Sequence, residues 1–254
     1  MIARRLRAAW RLGRVGLHIL RGVWIAWREF DGASQAHRCA RIQWWSATLL
    51  ALLGITLRPS GRFQNGPQLL AANHVSWLDI MAVHAVCPQA RFVSKSDVKA
   101  WPLLGWLITQ AGTLFIEREN KRDALRVVHQ SAEALKAGDT VAFFPEGTTS
   151  DGHHLLPFHA NLLQAAVSSG APVQPVALRF SEPGHAVSPS AVYIGDTTLL
   201  DSLWTIAGAQ GLEVHVDVLA PVVSTGLDRR ALVQTVRERI AAALGITEAA
   251  HNPD

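Results

Sequence analysis

From about residue 60 onward, short apolar runs alternate with stretches of helical periodicity. Runs typical of buried strands occur at 69–72, 90–94, 113–116, 140–144, 173–180, 191–194 and 213–219. Helical patterns occur between them, ending near residue 86 and then covering 121–137, 156–168 and 227–244. Apolar strands separated by helices are typical of a sheet that is covered on both faces. We therefore predict an α/β fold for this part of the chain.

Positive charge is concentrated at the N-terminus. Residues 1–41 contain nine arginines and two acidic residues, a net charge of +7, whereas the whole chain carries +4, so the remainder carries −3. A groove that binds nucleic acid needs its basic residues spread over the folded body. The distribution therefore argues against nucleic acid as a partner.

The residue spacing in the same N-terminal region predicts two helices. Arginines and one histidine recur every three or four residues from Arg4 to Arg21, and the apolar residues lie largely away from them. The segment 42–57 has no charge but is only 16 residues long, short of the ~20 that an ordinary membrane span needs. Arginines interrupt every stretch that would serve as a signal peptide, and a transit peptide is a weaker alternative. We predict an anchor that lies in the membrane interface; packing on the body or on a partner, and a tilted single span, are the alternatives.

The first polar cluster follows the strand predicted at 69–72. His74 and Asp79 lie five residues apart and would point away from each other on one regular helix. They meet if His74 lies in the loop and the helix begins after it, with Ser76 as its N-cap. A carboxylate that fixes a histidine in this way produces a general base. The alternative is a capping box in which Asp79 only satisfies a backbone N–H.

Two further clusters follow predicted strands. Arg118 comes just after the strand at 113–116, where its guanidinium could hold a phosphate. Residues 144–150 combine a Pro–Gly turn with hydroxyl side chains, which can form an anion-binding nest, and Glu146 lies within it. Each cluster taken alone has a simpler structural interpretation. Arg118 would be a surface arginine paired with a neighbouring glutamate, and residues 144–150 would form a capped turn. Because ligands gather beyond the carboxyl ends of the strands in such sheets, we expect all three clusters to converge.

In this order, the clusters resemble the motifs of the lysophospholipid acyltransferase family. The matching positions are His74 and Asp79, residues 112–118, residues 144–150 and the proline-centred strand 173–176. The segment 95–106 also looks like the family, and the resemblance covers roughly residues 40–182. The C-terminal third of the chain carries no matching motif.

The resemblance implies a mechanism. His74 would act as general base on the free hydroxyl of a lysophospholipid, lysophosphatidate first among them, while Asp79 orients the imidazole. The hydroxyl oxygen would attack the thioester of acyl-CoA or acyl carrier protein, with no acyl-enzyme, metal or cofactor. The implied substrate-binding residues are Arg118 at the phosphate, Glu146, Gly147 and Thr148 around it, and Lys95 near the phosphate or oxyanion.

The resemblance also implies a fold and a location. The expected fold is α/β, with a mixed, mostly parallel sheet flanked by helices behind a two-helix membrane motif. We expect an anchor at 1–57, an acyltransferase domain at 58–247 and a frayed tail at 248–254, acting at the cytoplasmic face of the inner membrane. A lyso-ornithine lipid or another lysolipid as acceptor, and a non-catalytic membrane-binding protein, are the alternatives.

Overall fold

The computed structural model describes residues 2–117 and 121–247. The α-helices are α1 (Ile2–Glu29), α2 (Gln35–Leu53), α3 (Leu78–Val86), α4 (Leu104–Gln110), α5 (Lys121–Lys136), α6 (Leu163–Ser169), α7 (Leu199–Gly208) and α8 (Arg229–Leu244). The strands are β1 (Ile55–Ser60), β2 (Gln68–Ala72), β3 (Ala90–Lys95), β4 (Leu114–Ile116), β5 (Thr140–Phe143), β6 (Val173–Ser181) and β7 (Leu212–Val218). A short 3₁₀ helix, Ser96–Ala100, follows β3.

In the described part of the chain, the strands form one sheet in the order β1-β7-β6-β2-β5-β3-β4. Neighbours pair in parallel except β6 and β7, which are antiparallel. The predicted mixed, mostly parallel sheet is confirmed. β2 and β5 are adjacent and parallel, so the segments that follow them leave the sheet at the same edge.

Hydrophobic residues are buried on both faces of the sheet. One apolar cluster joins it to α1, α2, α3 and α7, and a second joins it to α5, α6 and α8. A parallel sheet needs this double cover because its strands are apolar on both sides. The strands β2 and β5 are buried along their whole length, which fixes the polar segments that follow them on a rigid support.

The structure corrects several predicted elements. The apolar segment 42–57 is not one helix, because α2 ends at the left-handed residue Gly54 and the chain continues into β1. The strand predicted at 191–194 is irregular, and the helix predicted at 156–168 is confined to α6. The helix α7 was not predicted.

The N-terminal helix α1 is oriented with its larger apolar residues outward. Its buried face consists mainly of small residues together with His18, whose pKa is lowered by burial, so this histidine does not extend the basic stripe as the spacing suggested. The outer face carries an apolar stripe, each member 56–76 % exposed: Ile2, Leu6, Trp10, Leu17, Leu20, Trp24 and Trp27. This is the reverse of the arrangement that a helix on a water-soluble surface adopts.

Two arginines of α1 point toward the protein body. The Arg7 guanidinium donates to the Gly208 carbonyl (2.8 Å), and that of Arg11 donates to the carbonyls of Ala207 (3.1 Å) and Ala209 (2.8 Å). These carbonyls end α7 and have no partner within the helix, and cations are favoured there by the helix dipole. Part of the predicted basic stripe thus joins α1 to α7.

Within residues 2–117 and 121–247, no helix is both long and apolar enough to cross a membrane. Arg118 and the tail 248–254 lie outside the described residues.

Candidate active site

The loop after β2 and the loop after β5 are held together at the predicted sheet edge. The Ser150 backbone N–H donates to the His74 carbonyl (2.7 Å). The amide of Asn73 exchanges two hydrogen bonds with the backbone of Leu178 in β6 (2.8 and 2.7 Å). His74 is therefore fixed from both neighbouring strands.

His74 and Asp79 form a hydrogen-bonded pair. Nδ1 of His74 lies 2.7 Å from Oδ2 of Asp79, and the two side chains are 18 % and 0 % exposed. The same Oδ2 accepts from the backbone N–H groups of Val75 (2.7 Å) and Ser76 (2.9 Å), so the hydrogen of the third bond lies on Nδ1. Nε2 is then the ring nitrogen whose lone pair can take a proton.

The pair meets because the helix begins after His74, as predicted. α3 starts at Leu78 and places Asp79 in its first turn, from where the carboxylate points back over the loop. Asp79 makes both kinds of contact, because it accepts from backbone N–H groups and is also bonded to the imidazole, so it does not serve the backbone alone. Ser76 is not the side-chain cap that the spacing suggested, since its hydroxyl has no hydrogen-bond partner among the described residues.

Glu146 is buried beneath the pair. Oε1 accepts from the His74 backbone N–H (2.6 Å), and Oε2 accepts from that of Leu156 (2.9 Å). Burial raises the pKa of Glu146, and these two hydrogen bonds oppose the rise. The Glu146 carboxylate thus connects the backbone of His74, in the loop after β2, to the backbone of Leu156.

The ring of Phe144 lies flat against the imidazole. The two ring centroids are 3.8 Å apart and the planes differ by 6°. Phe92, from β3, stacks on Phe144 with a centroid distance of 5.5 Å. The position of Phe144 next to Pro145 gave no sign of this contact in the sequence.

An apolar cavity of about 640 Å³ opens beside His74. Side chains from α1, α2, α3, α4 and α7 line most of it, and Lys95, Gly147 and Thr148 lie in its wall. Tyr193 also lines it, and its backbone is hydrogen-bonded to Val75 and to Thr149. Sequence reasoning missed Tyr193, because residues 191–194 were interpreted as a strand. The cavity has the size and the largely apolar lining that are typical of a ligand-binding site.

A second cavity of about 390 Å³ lies on the α5 side of the same wall. Glu146, Gly147 and Thr148 line it together with His159 and Asn161, and Ile116 lies at its edge. Among the described residues, both cavities are lined by Val93, Phe144, Gly147 and Thr148. The structure brings five predicted site residues to the walls of these cavities: His74, Lys95, Glu146, Gly147 and Thr148. Asp79 is bonded to His74, and Arg118 lies outside the described residues.

Comparison with known proteins defines the class of this chain. Residues 54–179 match the acyltransferase family. The chain belongs to that family and is an enzyme that transfers acyl groups.

Individual relatives are similar over most of their length. The lyso-ornithine lipid O-acyltransferase of Pseudomonas aeruginosa is 39 % identical over 94 % of this chain and 92 % of its own. The 1-acyl-sn-glycerol-3-phosphate acyltransferase of Neisseria meningitidis is 40 % identical over 85 % of each chain. The crystal structure of the 1-acyl-sn-glycerophosphate acyltransferase PlsC of Thermotoga maritima shares the fold, with a TM-score of 0.75 at 21 % identity, and covers 96 % of this chain and 95 % of its own.

Proposed function

We propose that the protein transfers an acyl chain from a thioester to the free hydroxyl of a lysolipid, with His74 as general base. The observation that carries this is the 2.7 Å bond between Nδ1 of His74 and the buried Asp79, beside a large apolar cavity. The acceptors proposed are lysophosphatidate and, second, a lyso-ornithine lipid. The second is favoured by the Pseudomonas relative, which aligns with 94 % of this chain.

The reaction follows from the position of Nε2. Nε2 takes the proton of the acceptor hydroxyl while Asp79 stabilises the imidazolium through Nδ1. The hydroxyl oxygen forms a bond to the thioester carbonyl carbon, and the C–S bond then breaks. The departing thiolate receives the proton from Nε2, which returns His74 to its starting state and leaves an ester and a free thiol.

Substrate placement follows from the two cavities. The acyl chain would occupy the larger, apolar cavity, and the acceptor headgroup would lie toward Gly147, Thr148 and the segment that leads to Arg118. Lys95 lies in the wall of the larger cavity, where its ammonium can reach an anionic headgroup or the thioester oxygen. Glu146 supports this region by holding the His74 backbone. Acyl-CoA or acyl carrier protein would supply the thioester, and no metal or cofactor takes part in the step.

The outward apolar stripe of α1 supports a monotopic membrane association. Exposed arginines flank the stripe, including Arg14, whose guanidinium lies 4.4 Å from the ring centroid of Trp10. Tryptophan and arginine together favour the interface of an anionic bilayer. We place the enzyme at the cytoplasmic face of the inner membrane, with α1 and α2 as the anchor. The catalytic domain begins at β1, because a boundary between residues 57 and 58 would divide that strand.

An acyl-transfer assay with product detection by mass spectrometry tests the chemistry. Lysophosphatidate and a lyso-ornithine lipid are offered in detergent micelles, with acyl-CoA and acyl carrier protein as alternative donors. We expect product with wild type and a loss of about 10²–10⁴ in turnover with His74→Ala. Equal turnover in the two proteins would rule out His74 as the base. The acceptor that gives product at equal concentration decides between the two lipids.

Liposome co-sedimentation tests the membrane surface. Removing residues 1–57 would also remove half of β1 from the sheet, so point substitutions are the cleaner test. We expect Leu17→Ser with Trp24→Ser to weaken binding to anionic liposomes by about 10-fold or more, since each removes an apolar side chain from lipid. Leu125→Ser is the matched control, because Leu125 is 72 % exposed on α5. Unchanged binding of the double variant would place the membrane surface elsewhere.

A further inference from the structure

The His74 imidazole is held on an edge and on a face. Asp79 fixes the edge through Nδ1, and Phe144 covers one face at 3.8 Å with nearly parallel planes. Phe92, itself buried, backs Phe144 from β3. Rotation of the imidazole about its Cβ–Cγ bond would therefore break the hydrogen bond to Asp79 and bring the imidazole into contact with the Phe144 ring, which Phe92 supports.

The geometry of this stack matches one charge state of the imidazole better than the other. Neutral aromatic rings prefer offset or edge-on arrangements with centroids about 4.5–7 Å apart. A cation, in contrast, is attracted to the centre of the ring face, where the quadrupole is negative. A nearly parallel stack at 3.8 Å thus favours the imidazolium over the neutral ring.

We propose that Phe144 is a positioning residue for His74, which fixes the plane of the imidazole and stabilises the imidazolium formed when Nε2 takes the acceptor proton. The inference rests on the proposed function, because it concerns the step in which His74 acts as base. An interaction that strengthens only as the charge develops lowers the barrier without tightening substrate binding. Phe144 therefore acts on kcat.

A space-filling role makes a different prediction. Phe144 lines both cavities. If it only filled space, its replacement would change the shape of both substrate sites. The Michaelis constants would then rise. Any side chain of suitable apolar volume, such as leucine, would largely replace it.

The test compares Phe144→Leu, which removes the ring face, with Phe144→Tyr, which keeps it. We expect kcat of Phe144→Leu to fall by about 3- to 30-fold, with both Michaelis constants within about twofold of wild type. Phe144→Tyr should retain kcat within about threefold. Phe180→Leu is the matched control, because Phe180 is a fully buried phenylalanine of β6 that lines neither cavity; it should leave kcat unchanged. Equal loss in the leucine and tyrosine variants, or a loss expressed in the Michaelis constants, would overturn the proposal.

An NMR experiment tests the stacking of Phe144 on His74 independently of enzyme activity. In protein with ¹³C-labelled histidine, the ring protons of His74, assigned with His74→Ala, should appear upfield and return downfield in Phe144→Leu. Ring protons at the ordinary position in wild type would overturn the proposal. Wild type and His74→Ala run in the same acyl-transfer assay. Absence of product from wild type would refute the proposed function, while an upfield resonance would still support the stack.

Discussion

Replacing Asp79 by asparagine should weaken both the fold and the chemistry, because one oxygen serves both. Oδ2 is fully buried and accepts from two backbone N–H groups in addition to Nδ1 of His74. A hydrogen bond to a charged group contributes about 1.5–3 kcal/mol, and one between neutral groups about 0.5–1.5 kcal/mol. Losing the charge therefore costs about 1 kcal/mol at each backbone bond, or about 2 kcal/mol in the free energy of unfolding. The amide is easier to desolvate than the carboxylate, so this is an upper value.

In the proposed mechanism an imidazolium forms opposite Asp79, and Asp79→Asn removes the negative charge that stabilises it. Two unit charges 4 Å apart at an effective dielectric constant of 20 attract each other by about 4 kcal/mol. That sets a limit of about 10³-fold, and we expect kcat to fall by about 10²- to 10³-fold.

Urea unfolding followed by tryptophan fluorescence and the acyl-transfer assay measure the two effects on the same preparation. Asp139→Asn is the control, because Asp139 pairs with Arg91 at the surface (2.5 Å) and should change the free energy of unfolding by less than about 1 kcal/mol and leave kcat unchanged. In the proposed mechanism the pair acts as a unit, so adding Asp79→Asn to His74→Ala should lower activity no further. Unchanged stability would refute the backbone role of Asp79, and unchanged kcat would refute its orienting role.

Three other predictions concern the helices around the site. Burial lowers the pKa of His84 to about 4; the unfolded chain therefore takes up a proton that the folded protein does not, and the free energy of unfolding should fall by about 3 kcal/mol from pH 6.5 to pH 4. Urea titrations at several pH values should show this fall reduced in His84→Gln, which retains a donor but does not titrate. Arg11→Ala should speed hydrogen exchange at the end of α7, because it removes the guanidinium that binds the carbonyls there. Arg14→Ala, at an exposed residue, should not change the exchange rates. Equal rates in the two variants would contradict a stabilising role of Arg11 at the end of α7. A Cβ at Gly22 would overlap the indole ring of Trp45 in α2, so Gly22→Ala should cost about 1–3 kcal/mol in the free energy of unfolding and lower Tm. Gly13→Ala is the control and should not lower Tm, because among the described residues the new Cβ would meet nothing within 4 Å beyond its chain neighbours and the backbone of its own helix.

The sequence was most informative where structure is local. His74 and Asp79 lie in one strand–loop–helix unit, so spacing alone led to the condition under which they meet. The α/β class followed from the apolar strands, because a strand buried on both faces has few alternatives. Glu146 was singled out by its motif, although its contact with the His74 backbone spans 72 residues and has no local signal.

The parts that could not be predicted depend on contacts between distant segments. The spacing in α1 defined an arginine side and an apolar side but not which faces the body. The carbonyls at the end of α7 decide this for Arg7 and Arg11, some 200 residues away in sequence. β1 was missed because its apolar residues continue the pattern of α2 without interruption, and only pairing with β7 makes it a strand. The stacking of Phe144 on His74 could not be predicted either, because the two residues lie far apart in the sequence.

The strand β1 follows α2 after the single residue Gly54 and pairs with β7 along all six of its residues. The helices α1 and α2 are therefore joined to the sheet through a hydrogen-bonded strand and not through a flexible linker. A bilayer that holds α1 by its apolar stripe must hold His74 at one height and one tilt. The enzyme would then select acceptors by the depth of their hydroxyl as well as by their chemistry, and a lysolipid whose hydroxyl lies deeper in the leaflet would be passed over even when its headgroup fits.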